Sequence, residues 1–103
     1  MKHFLLFYDV SEDYLEKRPA FREEHLQKAW ASHARNELQL GGALADPVDG
    51  TVMLFLAESP RVAEEFAESD PYVLNGLVTG WRVREWSTVA GSQATNPVRP
   101  TEA

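Results

Sequence analysis

The sequence predicts an α+β fold: a four-stranded antiparallel sheet with two helices on one face. Three observations lead there. Apolar periodicities of 2 and 3.6 alternate in the order β-α-β-β-α-β, the connections between them are short, and two of the strands are apolar on both sides. A chain of 103 residues supplies one domain and one core.

The first strand is read over residues 3–10, a run of aromatic and aliphatic side chains. Leu5 and Phe7 fall on one face, Phe4, Leu6 and Tyr8 on the other. Residues 11–18 are polar and read as a loop or short turn. A helix is expected over residues 19–38, because Pro19 suits a first helical turn. Leu26, Ala29, Trp30, Ala34 and Leu38 then gather on one side. Gly41 and Gly42 end that helix or open the next strand. Residues 40–45 and 51–58 flank Asp46-Pro47-Val48-Asp49-Gly50, and Asp-Gly between two apolar runs signals a hairpin. The second run, TVMLFLA, is again apolar on both faces. Ser59 and Pro60 supply a hydroxyl cap and a proline at the first helical position. Val62, Ala63, Phe66 and Ala67 give that helix its buried stripe. Asp70-Pro71 repeats the logic for a short turn ending near Gly76. The last strand, residues 78–89, alternates Trp81 and Val83 with Arg82 and Arg84. This order with short links is the ferredoxin-like split βαβ arrangement.

The periodic pattern defines a domain at residues 1–89. Residues 90–103, AGSQATNPVRPTEA, lose it and are expected to form a poorly ordered tail. Two helices cover one sheet face only, so a second apolar face needs a cover. The simplest is a second copy packed sheet to sheet, a homodimer; the alternative is the C-terminal segment folding over it. Ten Lys+Arg against 16 Asp+Glu leave a net charge of −6, which repels phosphate and argues against nucleic acid and anionic membrane as partners. With no cysteine, disulfides, thiolate metal centres and thiol nucleophiles are excluded. The apolar run at residues 4–7 stops at Asp9, short of a signal segment or a membrane span. A soluble, cytoplasmic domain is expected.

Strong catalytic signatures are missing: no Gly-rich phosphate loop, no G-x-S-x-G, no HEXXH. His25 and His33 lie about 12 Å apart along a helix axis, too far for one zinc. No metal and no cofactor is expected. His25 sits at the edge of the apolar stripe, and Arg18 and Arg22 share that edge. Such an imidazole could take up a proton while the guanidinium groups attract an anion; the alternative is a solvated helix edge. His33 reads as a core-edge histidine. Asp70 is an N-cap by position, yet the fold puts its helix on the same sheet face as His25. Asp9, at the end of the first strand, is a third carboxylate that could reach that edge.

These residues resemble the YCII-related family, small dimeric proteins of the α+β barrel superfamily. The resemblance covers about residues 2–89. It rests on LEKR at 15–18, Arg22-x-x-His25-Leu26, Gly42-Ala43-Leu44, the helix beginning at Ser59, Asp70-Pro71-Tyr72 with Gly76, and Val83-Arg84-Glu85-Trp86. The family often has Gly-Pro-Leu at the third of these and a proline where this chain has Glu85. The resemblance implies a dimeric α+β barrel with His25 and Asp70 paired in a pocket. The family is poorly defined in activity and its name supplies no substrate; the leading expectation from the residues is a small-molecule enzyme, cofactor-independent, using His/Asp acid–base chemistry, for example in a lyase or elimination-type reaction. Asp70 would orient His25, and His25 would act as general base or acid. Arg22 and Arg18 would bind a small organic anion, and Tyr8 and Tyr72 would donate hydrogen bonds or line the pocket. The other expectation is a non-catalytic dimeric metabolite-binding module.

Overall fold

β1, Lys2–Val10, is the spine of the molecule. Its alternating side chains give two apolar surfaces, so both of its edges can be paired and both faces covered. The computed structural model describes residues 1–101. Along the chain follow a short helix α1 (Tyr14–Lys17), a 3-10 turn (Arg18–Ala20), α2 (Arg22–Ala34), β2 (Leu38–Ala43), β3 (Gly50–Ala57), α3 (Arg61–Ser69), α4 (Pro71–Leu74) and β4 (Val78–Trp86). The four strands form one antiparallel sheet in the order β2-β3-β1-β4. This is the predicted ferredoxin-like α+β architecture.

The register decides which face is buried. Phe4 lies opposite Phe55, Leu6 opposite Met53 and Tyr8 opposite Thr51. This set points under the helices, where Leu6 and Phe55 are fully buried and meet Phe66, Ala63 and Leu77. Each such side chain contributes about 1.5–3 kcal/mol through burial. The opposite parity, Leu5 and Phe7 with Val52, Leu54 and Leu56, forms the open face and is only half-buried. His3 shares that parity but is buried: its Nδ1 lies 2.7 Å from Thr88 Oγ1, in the segment after β4.

Several element limits differ from expectation for local reasons. The expected helix over residues 19–38 is split. Pro19 sits in the 3-10 turn, and Phe21, at φ −121° and ψ −2°, interrupts the helical run before Arg22. At the other end Asn36 takes φ 64°, a left-handed conformation asparagine tolerates, and the chain reverses there. Leu38 therefore opens β2, with its N–H donated to Ser32 Oγ, and reaches the core. The apolar stripe of α2 is not a core stripe: Leu26 is 40% and Trp30 67% exposed. That side of the helix walls a cleft instead. Within residues 11–18, expected as loop, Tyr14 opens α1 and is buried. β4 stops at Trp86, three residues early. Beyond it the expected tail carries no helix or strand as far as it is described; Asn96 N–H donates to Thr88 O and Val98 N–H to Val89 O. Its last two residues, 102 and 103, lie outside the described residues.

Candidate active site

Asp70 is the centre of the site. It follows α3 and caps α4, with φ −71° and ψ 127°, the extended conformation an N-cap requires. Its side chain is fully buried. Three donors converge on the carboxylate: Tyr72 N–H on Oδ1 at 3.0 Å, Tyr8 O–H on Oδ2 at 2.7 Å, and His25 Nδ1–H on both oxygens at 2.9 and 3.0 Å. Hydrogen bonds to a charged group are the strong ones, and together they replace the water this carboxylate has lost.

The consequence for His25 is a fixed tautomer. A carboxylate only accepts, so the ring hydrogen sits on Nδ1 and the Nε2 lone pair is left over. Nε2 makes no hydrogen bond among the described residues. The ring plane is fixed as well. Tyr72 stacks on it with centroids 4.0 Å apart and 11° between planes, and Phe66 meets it edge-on at 6.3 Å. The His25 side chain keeps 12% exposure, and that opening gives onto a cavity of about 300 Å³. Small-molecule sites begin at about this size.

The cavity lies between α2 and the β2–β3 edge of the sheet. Arg18, Arg22 and Tyr72 stand on its helical side. The Arg18 guanidinium lies 5.5 Å over the Tyr14 ring, which limits its freedom. Burial, with the neighbouring Tyr14, pushes the Tyr72 phenol up to about 12, while Arg22 and Arg18 pull it back down. Burial, then the Asp70 charge and hydrogen bond, raise the Tyr8 phenol well above its ordinary value. Both phenols are therefore donors at neutral pH.

The structure thus brings His25, Asp70 and Tyr72 together, with Arg18 and Arg22 on the same cavity. Tyr8, expected among the substrate contacts, spends its hydroxyl on Asp70 Oδ2 and is not among the described residues lining the cavity. Asp9 is elsewhere: it is exposed, of open-face parity, and 3.9 Å from Arg82. His33 is exposed rather than core-edge; its Nδ1 donates to Leu38 O at 2.8 Å and its ring meets Trp30 edge-on. Sequence reasoning missed Tyr14, Thr51 and Met53 as cavity residues. Thr51 and Met53 share a face of β3 with Phe55, so strand parity could have found them; Tyr14 sat in a polar stretch that gave no signal. Among the described residues no group of three His, Cys, Asp or Glu side chains is placed to hold a metal ion, and no helix is long and apolar enough to cross a membrane.

Comparisons fit this picture at the level of the fold. A dehydrochlorinase for 5-chloro-2-hydroxyhydroquinone from Burkholderia phenoliruptrix, solved with 2,5-dihydroxybenzoquinone, superposes with a TM-score of 0.71 at 23% identity over 84% of this chain and 94% of that one. An uncharacterized NIPSNAP domain protein from Burkholderia xenovorans gives 0.52 at 13% identity, over 91% and 98%. A protein from Nitrosomonas europaea, provisionally described as an antibiotic biosynthesis monooxygenase, gives 0.58 at 14%, over 87% and 100%. No curated protein matches the sequence. The model of the YCII-related domain, however, matches residues 1–87. With nearly the whole domain spanned by that match, the chain belongs to the YCII-related family.

Proposed function

We propose that this protein is a small-molecule enzyme in which His25, oriented by Asp70, is the general base for an elimination on a small anionic ring compound. The observation that carries the reading is the buried carboxylate holding His25 Nδ1–H while Nε2 is left for the cavity. Nε2 takes a proton from the substrate; the electron pair freed becomes a new double bond; a leaving group such as chloride departs with its own pair. The step balances with no oxidant or reductant. Asp70 stabilises the imidazolium that forms, and Arg18 and Arg22 hold the anion. The dehydrochlorinase named above has the same fold and an elimination as its reaction, which supports the choice of reaction class. We infer further that the working unit is a homodimer joined through the open sheet face, supported by Leu5, Phe7, Val52, Leu54 and Leu56 lying there half-buried.

Chloride release from chlorinated hydroquinones tests the chemistry. The wild type should release chloride, and His25→Asn should lower the rate by about 10²–10⁴-fold, the share a general base contributes. Its circular dichroism should stay that of the wild type. Full activity in His25→Asn would sink the base assignment. No chloride release by the wild type would sink the elimination.

A further inference from the structure

Tyr8 brings a hydroxyl to a place where packing needs none. The residue is 2% exposed and belongs to the core under the helices. Phenylalanine would fill the same space and leave no polar atom to satisfy. The hydroxyl donates to Asp70 Oδ2 at 2.7 Å. Asp70 does not need that bond to cap α4. Capping uses Oδ1, which accepts from Tyr72 N–H at 3.0 Å. With one donor on each oxygen, the carboxylate cannot turn about its Cβ–Cγ bond without straining one of them. Held this way, it presents both oxygens to His25 Nδ1, at 2.9 and 3.0 Å. The charge it offers the ring is shared as well, because the Tyr8 proton draws on the same carboxylate.

We propose that Tyr8 is a positioning residue for His25 that acts through Asp70: it fixes the direction of the carboxylate and moderates its pull, so that Nε2 stays ready to accept a proton near neutral pH. This rests on the reading of His25 as the base and deepens it by naming what sets the working range of that base. The state that accepts a proton holds Asp70 ionised and His25 neutral. The Tyr8 bond is strongest in that state, where the carboxylate has no cation against it. It weakens once either partner has gained a proton. Hydrogen bonds to the charged form of a group favour that form. Without the hydroxyl, the pair therefore takes up its proton at higher pH, and because the two groups interact the midpoint belongs to the pair. Other ionisable side chains around the pair are Tyr14 on α1, Arg18 in the 3-10 turn, Arg22 and His33 on α2, and Tyr72 on α4. Lys28, also on α2, lies over the Phe66 ring that meets His25 edge-on. None of the described residues lining the cavity is Asp or Glu. This setting is common to the wild type and a Tyr8 variant, so the difference between them reads a single bond.

A pH titration of the His25 ring nitrogens by nitrogen-15 NMR, without any substrate, tests the role. On the basic side of the midpoint the wild type should carry its ring hydrogen on Nδ1. Tyr8→Phe should raise the midpoint by about 0.7 pH unit, a roughly fivefold gain in proton affinity and the worth of one hydrogen bond. Tyr8→3-fluorotyrosine, a stronger donor of nearly the same size, should lower it below the wild type. A hydroxyl that serves only the stability of the core moves neither midpoint. A Tyr8→Phe midpoint at or below that of the wild type overturns the proposal. If Tyr8→Phe is too unstable to fold, the fluorotyrosine variant decides, and a midpoint at or above that of the wild type overturns it. The chloride assay fails separately. A raised Tyr8→Phe midpoint in a protein that releases no chloride supports the tuning of His25 and sinks the elimination alone. Turnover lost in His25→Asn beside an unmoved Tyr8→Phe midpoint overturns the role of Tyr8 alone.

Discussion

At the scale of single residues, Asp70 does two jobs with one side chain. It caps α4 and it orients His25. The capping role was plain from Asp-Pro alone; the second role was not, because position 45 residues earlier in the chain says nothing about distance. Only the helix-on-one-face argument and the family resemblance brought the two together. Because Asp70 accepts from Tyr8, Tyr72 and His25, removing it strands three donors in the interior. Asp70→Ala should cost about 3 kcal/mol of unfolding free energy, the lower end for breaking a buried charged cluster. Tyr8→Phe removes one donor and leaves the ring packed, so it should cost about 1 kcal/mol. Urea titrations check both. An Asp70→Ala protein within about 0.5 kcal/mol of the wild type would mean that the three bonds carry no net stability.

At the scale of elements, strand parity and capping read cleanly, and helix limits did not. β1 and β3 were legible because short apolar runs rich in aromatic and branched residues, bounded by polar and turn residues, fit strands covered on both faces. α2 was not legible in extent. Its apolar residues at helical spacing looked like a core stripe, but Leu26 and Trp30 wall the cavity and its rim instead. Periodicity reports which residues share a side; it does not report whether that side meets the sheet or a ligand cleft. Asn36 ended the helix through its left-handed backbone, a conformation asparagine permits but does not announce. The two kinds of apolar residue should separate on mutation. Trp30→Ala should change stability by no more than about 0.5 kcal/mol, as exposed positions do. Leu38→Ala, buried at 6% exposure, should cost about 2–4 kcal/mol. Thermal melts of the two variants make the comparison, and equal losses would put Trp30 back into the core.

At the scale of the whole molecule, two properties follow from how the sheet is covered. The helix-side face buries Tyr8 and Tyr72, whose phenols stay protonated in the fold to higher pH than in an unfolded chain. An unfolded tyrosine ionises near pH 10. The unfolded state therefore sheds these protons first, and stability should fall as pH rises from about 10 through about 12; Tyr8→Phe should lessen that fall. The other face is where the proposed homodimer would join. Arg82 stacks over Phe7 at 4.5 Å and shields one ring, but Leu5, Val52, Leu54 and Leu56 have only partial cover, and Leu40 beside Leu54 is 74% exposed. The segment after β4 reaches this face at His3, bonded to Thr88, and so caps one corner of it. A second copy laid sheet to sheet would cover the remainder with the same apolar set, as a two-fold interface requires. Sedimentation equilibrium should then give twice the 11.6 kDa of the chain. Mass action should also make the melting temperature rise with protein concentration. Leu54→Arg places a charge at the middle of the joined faces and should yield monomers. Leu54 points away from the cavity, so a monomeric variant that still binds 2,5-dihydroxybenzoquinone would show that each chain carries a whole site. A wild type that sediments as 11.6 kDa at micromolar concentration, with a melting temperature independent of concentration, would leave the open face a single-chain surface.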